Sequence, residues 1–218
     1  MSRLDDDAGL GFQPSKIIGI ARNYRAHAQE LNNSVPEDEP LFFYKPLSSL
    51  AYGAERISIH LPPNVGRVDY EGELGVVIGK RAQNVSQEEA LEYVSSYVPA
   101  FDVTARALQK SKGHFSLAKG FDSFCPVGSI VDGKTDASDI RIRTFLNGNC
   151  VQDGRTSQMV HSIPSLISYL SSVVTLEQGD LILTGTPAGV GSIAAGDELR
   201  LEIDGFQPMN CLVCEREF

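Results

Sequence analysis

The sequence predicts a β-rich α+β fold with few helices, on three observations. Period-two alternation of apolar and polar residues dominates the C-terminal half. Two further short segments are almost continuously apolar, as strands covered on both faces are. No regular strand–helix–strand alternation and no internal repeat runs through the chain. At 218 residues the expectation is one domain over 16–218, preceded by a tail over 1–15.

In chain order, 24–31 reads as a short helix, and Pro36 to Pro46 as a loop joining a small N-terminal segment to the main body. Leu74 to Ile78 is a buried strand. Ser86 and Glu89 form a capping box (S-x-x-E) ahead of a helix that places Ala90, Leu91 and Val94 on one face. Tyr97 to Phe101 is another apolar stretch, and TARALQK (104–110) beyond it is helical, which sets Arg106 one turn from Asp102 and Gln109 three residues further. Lys119 falls in a loop between Gly113 and Gly120. Ile140, Ile142, Thr144 and Leu146 alternate up to Asn147-Gly148, the strongest short hairpin signal. Pro164 suits a first helical turn and sends Leu166, Ile167 and Leu170 inward. Leu181 to Thr184 is the second buried strand. Leu199, Leu201 and Ile203 alternate into Asp204-Gly205, with Met209, Cys211 and Val213 on the returning strand.

Composition narrows the function. With 42% hydrophobic and 22% charged residues the chain is an ordinary globule. A net charge of −9, from 19 basic and 28 acidic residues, argues against a nucleic-acid partner. No apolar run approaches the roughly 18 residues of a membrane span, and the Asp5, Asp6 and Asp7 cluster is unlike a leader peptide. A cytoplasmic location is therefore expected. Cys211 and Cys214 form C-x-x-C without a second close pair, so the four cysteines read as buried or half-buried thiols.

Glu71 and Glu73 lie two apart before a buried strand, so period-two geometry puts both on one face. Asp102 ends an apolar stretch where an unpaired charge is out of place. Were the three to meet, each pair at about 4 Å would repel by roughly 4 kcal/mol at an effective dielectric near 20. Such a cluster must take up protons, pair with cations, or bind a metal, and three hard oxygen ligands suit Mg²⁺ or Mn²⁺. Arg106, Gln109 and Lys119 are polar groups able to look into the same cleft. Thr184 to Gly191 is not a phosphate loop, because no Gly-Lys-Ser/Thr ends it; it offers a turn or a bare backbone surface whose N–H groups can meet a ligand carboxylate. His27 and Glu30, at i and i+3, are neighbours on a short helix and can act as a general base.

Together these segments resemble the fumarylacetoacetate hydrolase family. The matching residues are Arg22-Asn23-Tyr24 with His27 and Glu30; Phe43-Tyr44-Lys45-Pro46; Asp69 to Leu74; Asp102 to Arg106 with Gln109; Lys119 to Asp122 before Cys125-Pro126; Asn147-Gly148; and Thr184 to Gly191. The resemblance implies a mixed β-sheet roll and a homodimer. It implies Glu71, Glu73 and Asp102 as ligands of Mg²⁺ or Mn²⁺, and His27 with Glu30 as a catalytic dyad on a lid helix. Gln109 and Lys119 are then catalytic as well, and Arg22, Tyr24, Arg106, Gly185 and Thr186 bind substrate. Lys45 matches a recurrent lysine to which no role is given. Phe115 is a departure, since many relatives have Trp there and this chain has none.

The length matches the short group of acylpyruvate hydrolases, oxaloacetate decarboxylases and dienedioate isomerases. The expected function is metal-dependent hydrolysis of the C–C bond of acylpyruvates (2,4-dioxo acids), giving pyruvate and a carboxylic acid through a metal-stabilised enolate. The alternatives are oxaloacetate decarboxylation or 2-hydroxydienedioate isomerisation or tautomerisation on the same scaffold, and, less favoured, a non-catalytic metal- or carboxylate-binding module. The expected partner is a small 2-oxo acid, with no nucleic acid and no membrane.

Overall fold

The computed structural model describes residues 10–53, 55–112 and 114–216. Its elements are β1 (Ile17–Ala21), α1 (Arg25–Glu30), β2 (Leu41–Lys45), β3 (Leu50–Ala51), β4 (Ile57–Leu61), β5 (Val68–Tyr70), β6 (Gly72–Ile78), β7 (Val94–Phe101), β8 (Thr104–Ala105), α2 (Arg106–Lys112) and α3 (Phe115–Lys119). They continue with β9 (Cys125–Pro126), β10 (Val131–Asp132), β11 (Arg141–Leu146), β12 (Asn149–Arg155), α4 (Ile163–Val173), β13 (Leu181–Leu183), β14 (Gly191–Ile193), β15 (Glu198–Ile203) and β16 (Met209–Glu215). The β-rich α+β class is as expected.

Two mixed sheets dominate. The larger has the order β10-β7-β6-β13-β1-β2, and the second has the order β12-β11-β15-β16-β4. The larger sheet is covered on both faces. Ile18, Ile20, Leu74, Val76 and Ile78 join the main core, whereas Ile17, Val77, Val98, Leu181 and Leu183 form a separate cluster on the opposite side. That double burial is why β6 and β13 read as continuous apolar runs. The second sheet sends only alternate residues inward, among them Ile142, Leu199, Leu201, Ile203, Cys211 and Val213, hence its clean period of two. Asn147 and Gly148 both take positive φ (50° and 81°) at the β11–β12 hairpin, as a primed turn requires.

Helix α4 follows from its sequence. Ser162 caps it by accepting from the Ser165 N–H, Pro164 sits in the first turn, and Leu166, Ile167 and Leu170 are fully buried. Each of those side chains contributes about 1.5–3 kcal/mol of burial.

Several expectations are corrected. The Ser86 and Glu89 side chains do contact each other at 3.2 Å, yet the chain makes only a 3₁₀ turn over Ala90–Tyr93 before Val94 opens β7. Pairing with β6 and β10 on its two sides overrides a weak local helix signal. The expected 36–46 loop contains β2, which pairs with β1 and is the sheet edge. TARALQK becomes helical only at Arg106, since Thr104 and Ala105 pair with β5. Asp102 is therefore not on that helix. Lys119 ends α3 rather than lying in a loop. Cys150 is exposed, whereas Cys125 and Cys211 are buried and Cys214 is half-buried. Asp5 to Asp7 and Gly113 lie outside the described residues. Residues 1–9 of the expected tail lie outside the described residues, and within 10–15 Leu10 and Phe12 pack on the second core cluster.

Candidate active site

The break between β5 and β6 leaves Glu71 at the joint and Glu73 two residues on, both buried. Antiparallel pairing of Gly72 with Phe101 brings Asp102 alongside, and its N–H donates to the Glu71 carbonyl at 2.9 Å. One carboxylate oxygen from each of Glu71, Glu73 and Asp102 lies within 4.8 Å of the other two.

Cations thread between the acids. Arg67 Nε donates to Asp69 (2.6 Å), and Arg106 reaches Asp69 through Nε (2.9 Å) and Glu71 through Nη2 (2.6 Å). Lys119 Nζ bridges Glu71 (2.6 Å) and Asp102 (2.5 Å), and also donates to Thr104 Oγ1 (2.8 Å). Lys45 Nζ closes the row on Asp102 (2.6 Å) while donating to the carbonyls of Lys119 (2.5 Å) and Phe124 (3.0 Å). Burial alone would raise the Glu71 carboxyl, but Lys119 and then Arg106 hold it below the usual carboxylate range. Burial likewise opposes the Lys119 charge, yet Asp102 and Glu71 keep its pKa raised. Glu73 differs. Among the described residues no cation pairs with it, and burial followed by the charges of Asp102 and Glu71 pushes its carboxyl well above the ordinary value. Its bond is from the Gly185 N–H, at 2.7 Å.

Above this floor, α1 carries His27 and Glu30. His27 Nδ1 and Glu30 Oε2 stand 3.5 Å apart, too long for a good hydrogen bond, so Nδ1 has no hydrogen-bond partner among the described residues. Burial lowers the His27 pKa, and Arg106 and Lys119 add to that effect against the opposing pull of Glu71. The imidazole is thus neutral near pH 7. The chain around α1 is tied down: Asn23 bonds both the N–H and the carbonyl of His161, His161 Nε2 meets the Pro36 carbonyl at 2.6 Å, and Arg25 pairs with Glu37.

The 184–191 loop is not a bare surface awaiting a ligand. Its Gly185 N–H is spent on Glu73, and its Gly189 N–H donates to Glu30 at 3.1–3.2 Å. Gly189 has φ 103°, and a Cβ there would lie 2.0 Å from the Val151 carbonyl oxygen, so only glycine fits. The Thr186 hydroxyl donates to the Gly72 carbonyl (2.9 Å) and accepts from Gln152 Nε2 (2.8 Å). Gln152, on β12, also accepts from the Gly72 N–H (3.0 Å) and donates to the Pro187 carbonyl (2.8 Å). The peptide between the two glutamates is therefore clamped from both sides.

The floor and α1 enclose a cavity of about 390 Å³. His27, Glu30, Glu71, Glu73, Arg106, Gln109, Lys119, Arg22 and Thr186 all line it, as does Phe115, which stacks on Phe43 at 5.3 Å. Asp102 is held just behind, through Lys119. Tyr24 does not line it. It is buried with its hydroxyl unpartnered among the described residues, and burial followed by the Glu73 charge raises its pKa. Gln109 Oε1 accepts from Arg106 Nη1 at 2.8 Å. Sequence reasoning missed Asp69 and Gln152 and gave Lys45 no role. Asp69 and Lys45 did stand inside the matched segments, but a lone Gln in an alternating strand gives no signal.

The donor set suits a divalent ion. Its members are hard oxygens only, and one of them, Glu73, has no cation partner among the described residues while burial and the neighbouring carboxylates disfavour its charge.

Comparison with known proteins agrees with this geometry. Residues 16–214 match the family described as Fumarylacetoacetate (FAA) hydrolase C-terminal. The mouse (Mus musculus) protein named Oxaloacetate tautomerase FAHD1, mitochondrial, is 41% identical over 208 residues, which is 93% of each chain. The crystal structure of fumarylpyruvate hydrolase from Pseudomonas aeruginosa, in complex with Mn²⁺ and pyruvate, matches with a TM-score of 0.87 at 30% identity, covering 97% of this chain and 94% of that one. The structure of 5-carboxymethyl-2-hydroxymuconate delta-isomerase from Mycobacterium smegmatis matches with a TM-score of 0.86 at 37% identity, covering 96% and 82%.

Proposed function

Because the chain belongs to the fumarylacetoacetate hydrolase family, whose members are enzymes, we propose that it is a divalent-metal-dependent hydrolase that cleaves the C–C bond of acylpyruvates. The observation that carries this reading is a neutral, buried imidazole, His27, lining the same cavity as a floor of carboxylates that lack one positive charge. Pure binding has no use for a general base in that place.

Glu71, Glu73 and Asp102 hold the ion, which when bound supplies Lewis-acid polarisation of the substrate's 2-oxo group. His27 takes a proton from water, and Glu30 steadies the resulting imidazolium. The water oxygen attacks the distal carbonyl. The C3–C4 bond then breaks, leaving its electron pair on C3, and His27 returns a proton there to give pyruvate. The charge that develops on the pyruvyl fragment lies beside Lys119 and Arg106, which are already fixed in place by their own carboxylates and so need little reorganisation. Gln109, oriented by Arg106, keeps its amide N–H groups for the water or an oxyanion.

Pyruvate release from acetylpyruvate by Mn²⁺-loaded protein tests this, with His27→Ala expected to lose about 10²–10⁴-fold in rate. A folded, metal-loaded chain that releases no pyruvate from any short acylpyruvate overturns it. A second reading, keto–enol tautomerisation or decarboxylation of oxaloacetate, draws support from the name of the 41%-identical mouse relative. It moves a proton or loses CO₂ without an attacking water, so acceleration of oxaloacetate enol decay with no acylpyruvate cleavage favours it.

A further inference from the structure

The peptide between Thr184 and Gly185 is gripped by side chains at both of its polar atoms. Its N–H donates to Glu73 Oε2 at 2.7 Å, the one hydrogen bond that carboxylate receives among the described residues. Its C=O accepts from Asn23 Nδ2 at 2.8 Å. A single peptide plane therefore joins Asn23 to a carboxylate of the floor. The two bonds strengthen each other, because an amide whose oxygen accepts is a better N–H donor. On the other side of the plane, the Thr184 N–H and hydroxyl both donate to the Leu74 carbonyl, at 3.1 and 2.8 Å.

Asn23 is itself rigid. It is buried and spends its whole amide, since Nδ2 also donates to the His161 carbonyl (3.0 Å) and Oδ1 accepts from the His161 N–H (2.8 Å). Two donors and an acceptor on one short planar group are what a carboxamide offers and a hydroxyl or carboxylate does not. The Asn23 carbonyl accepts from the Val160 N–H at 2.8 Å, and Tyr24 bridges to Met159. The approach to the peptide is close: an added Cβ on Gly185, which has φ 97°, would lie 2.8 Å from the Asn23 Cβ.

We infer that Asn23 is a positioning residue, which acts through the 184–185 peptide to fix the Glu73 carboxylate. The inference rests on the proposed function only in taking Glu73 as a ligand of the ion. Without the Asn23 amide the carbonyl of that peptide is stranded, the plane is free to turn, and its N–H no longer points at Glu73. Groups that bond a ligand rather than the ion are worth about 10–100-fold in metal affinity.

Asn23→Leu keeps a branched side chain in the slot and removes its bonds, whereas Asn23→Ala removes both. Calorimetric titration with Mn²⁺, on protein whose circular dichroism matches the wild type, should show both variants weakened by about 10–100-fold. Leu170→Ala is the control for lost stability and should leave the affinity unchanged. A purely structural role would lower Tm in all three and move the affinity in none. A second measurement needs no variant. Hydrogen exchange read by NMR on the wild-type protein should show the Gly185 N–H and the Asn23 side-chain amide both slowed by Mg²⁺, since the ion tightens the chain that runs through them. Unchanged Mn²⁺ affinity in Asn23→Leu, or an Asn23 amide whose exchange does not respond to Mg²⁺, overturns the positioning role. Weakened Mn²⁺ binding in the variants, with a wild type that releases no pyruvate from acylpyruvates, supports the role and overturns only the proposed reaction. A wild type with no affinity for Mn²⁺ overturns both.

Discussion

Lys45→Met removes one buried charge and keeps an apolar stem of similar length. The wild-type ammonium is fully enclosed and satisfies three acceptors: Asp102 Oδ1 and the carbonyls of Lys119 and Phe124. Breaking a buried pair from one side costs about 3–5 kcal/mol, because the partner charge stays buried. Each carbonyl left without its donor adds about 1 kcal/mol, for a total of roughly 5–7 kcal/mol. In a chain of this size 1 kcal/mol moves Tm by about 2–4 °C, so the metal-free protein should melt roughly 10–25 °C lower. The discriminating assay is a double-mutant cycle with Asp102→Asn, followed by urea denaturation in the presence of a chelator. Neutralising Asp102 removes the charge that Lys119 alone would otherwise have to balance, so the double variant should recover about 1–3 kcal/mol relative to the sum of the singles. Additivity within about 0.5 kcal/mol would refute the reasoning, since Lys45 would then not act through Asp102.

Further outcomes are expected. His27 has a depressed pKa, so the acid limb of kcat/KM should fall below the ordinary value of 6.5, and a limb at or above 6.5 contradicts the neutral base. The same shift gives a stability term that is present above the unfolded value and is lost as pH falls through 6.5 towards the folded one, because the unfolded imidazole takes its proton first. The Glu73 carboxyl is raised well above 4.5 in the metal-free protein by burial and then by the charges of Asp102 and Glu71. Mn²⁺ binding should therefore tighten as pH rises above 4.5, with the proton released read by calorimetry in buffers of different ionisation enthalpy; an affinity that does not change with pH above 4.5 argues against it. Gln152→Leu strands the Gly72 N–H between the two glutamates and should weaken Mn²⁺ binding by about tenfold. Leu170→Ala, costing about 2–5 kcal/mol in the core of α4, should leave Mn²⁺ affinity in the folded protein unchanged.

What the sequence discloses and what it hides divide along the range of the interaction. The Asn147-Gly148 hairpin, the α4 cap and the shared face of Glu71 and Glu73 are set by residues within a few positions of one another, so spacing alone exposes them. Asp102 joins Glu71 only through β6–β7 pairing, which no local pattern announces. The stretch after Ser86 fails as a helix for the same reason, since its neighbours in space lie on other strands. The glycines of 184–191 were legible as an open backbone, but not the carboxylates that occupy their N–H groups, because Glu73 and Glu30 are over a hundred residues away in sequence. Gln152 is the extreme case. Its role is made entirely of bonds to Gly72, Thr186 and Pro187, and nothing in its own segment marks it.

The charges of the floor also bear on what the cavity takes up. Three buried cations, Arg106, Lys119 and Lys45, face four buried acids, Asp69, Glu71, Glu73 and Asp102. Arg67 pairs with Asp69 from the exposed side and is screened by water. With one proton held among these acids the floor is neutral, which suits a low-dielectric site. Exchanging that proton for a divalent ion leaves one positive charge in excess, and a single substrate carboxylate cancels it. The floor therefore accounts for one carboxylate and no more.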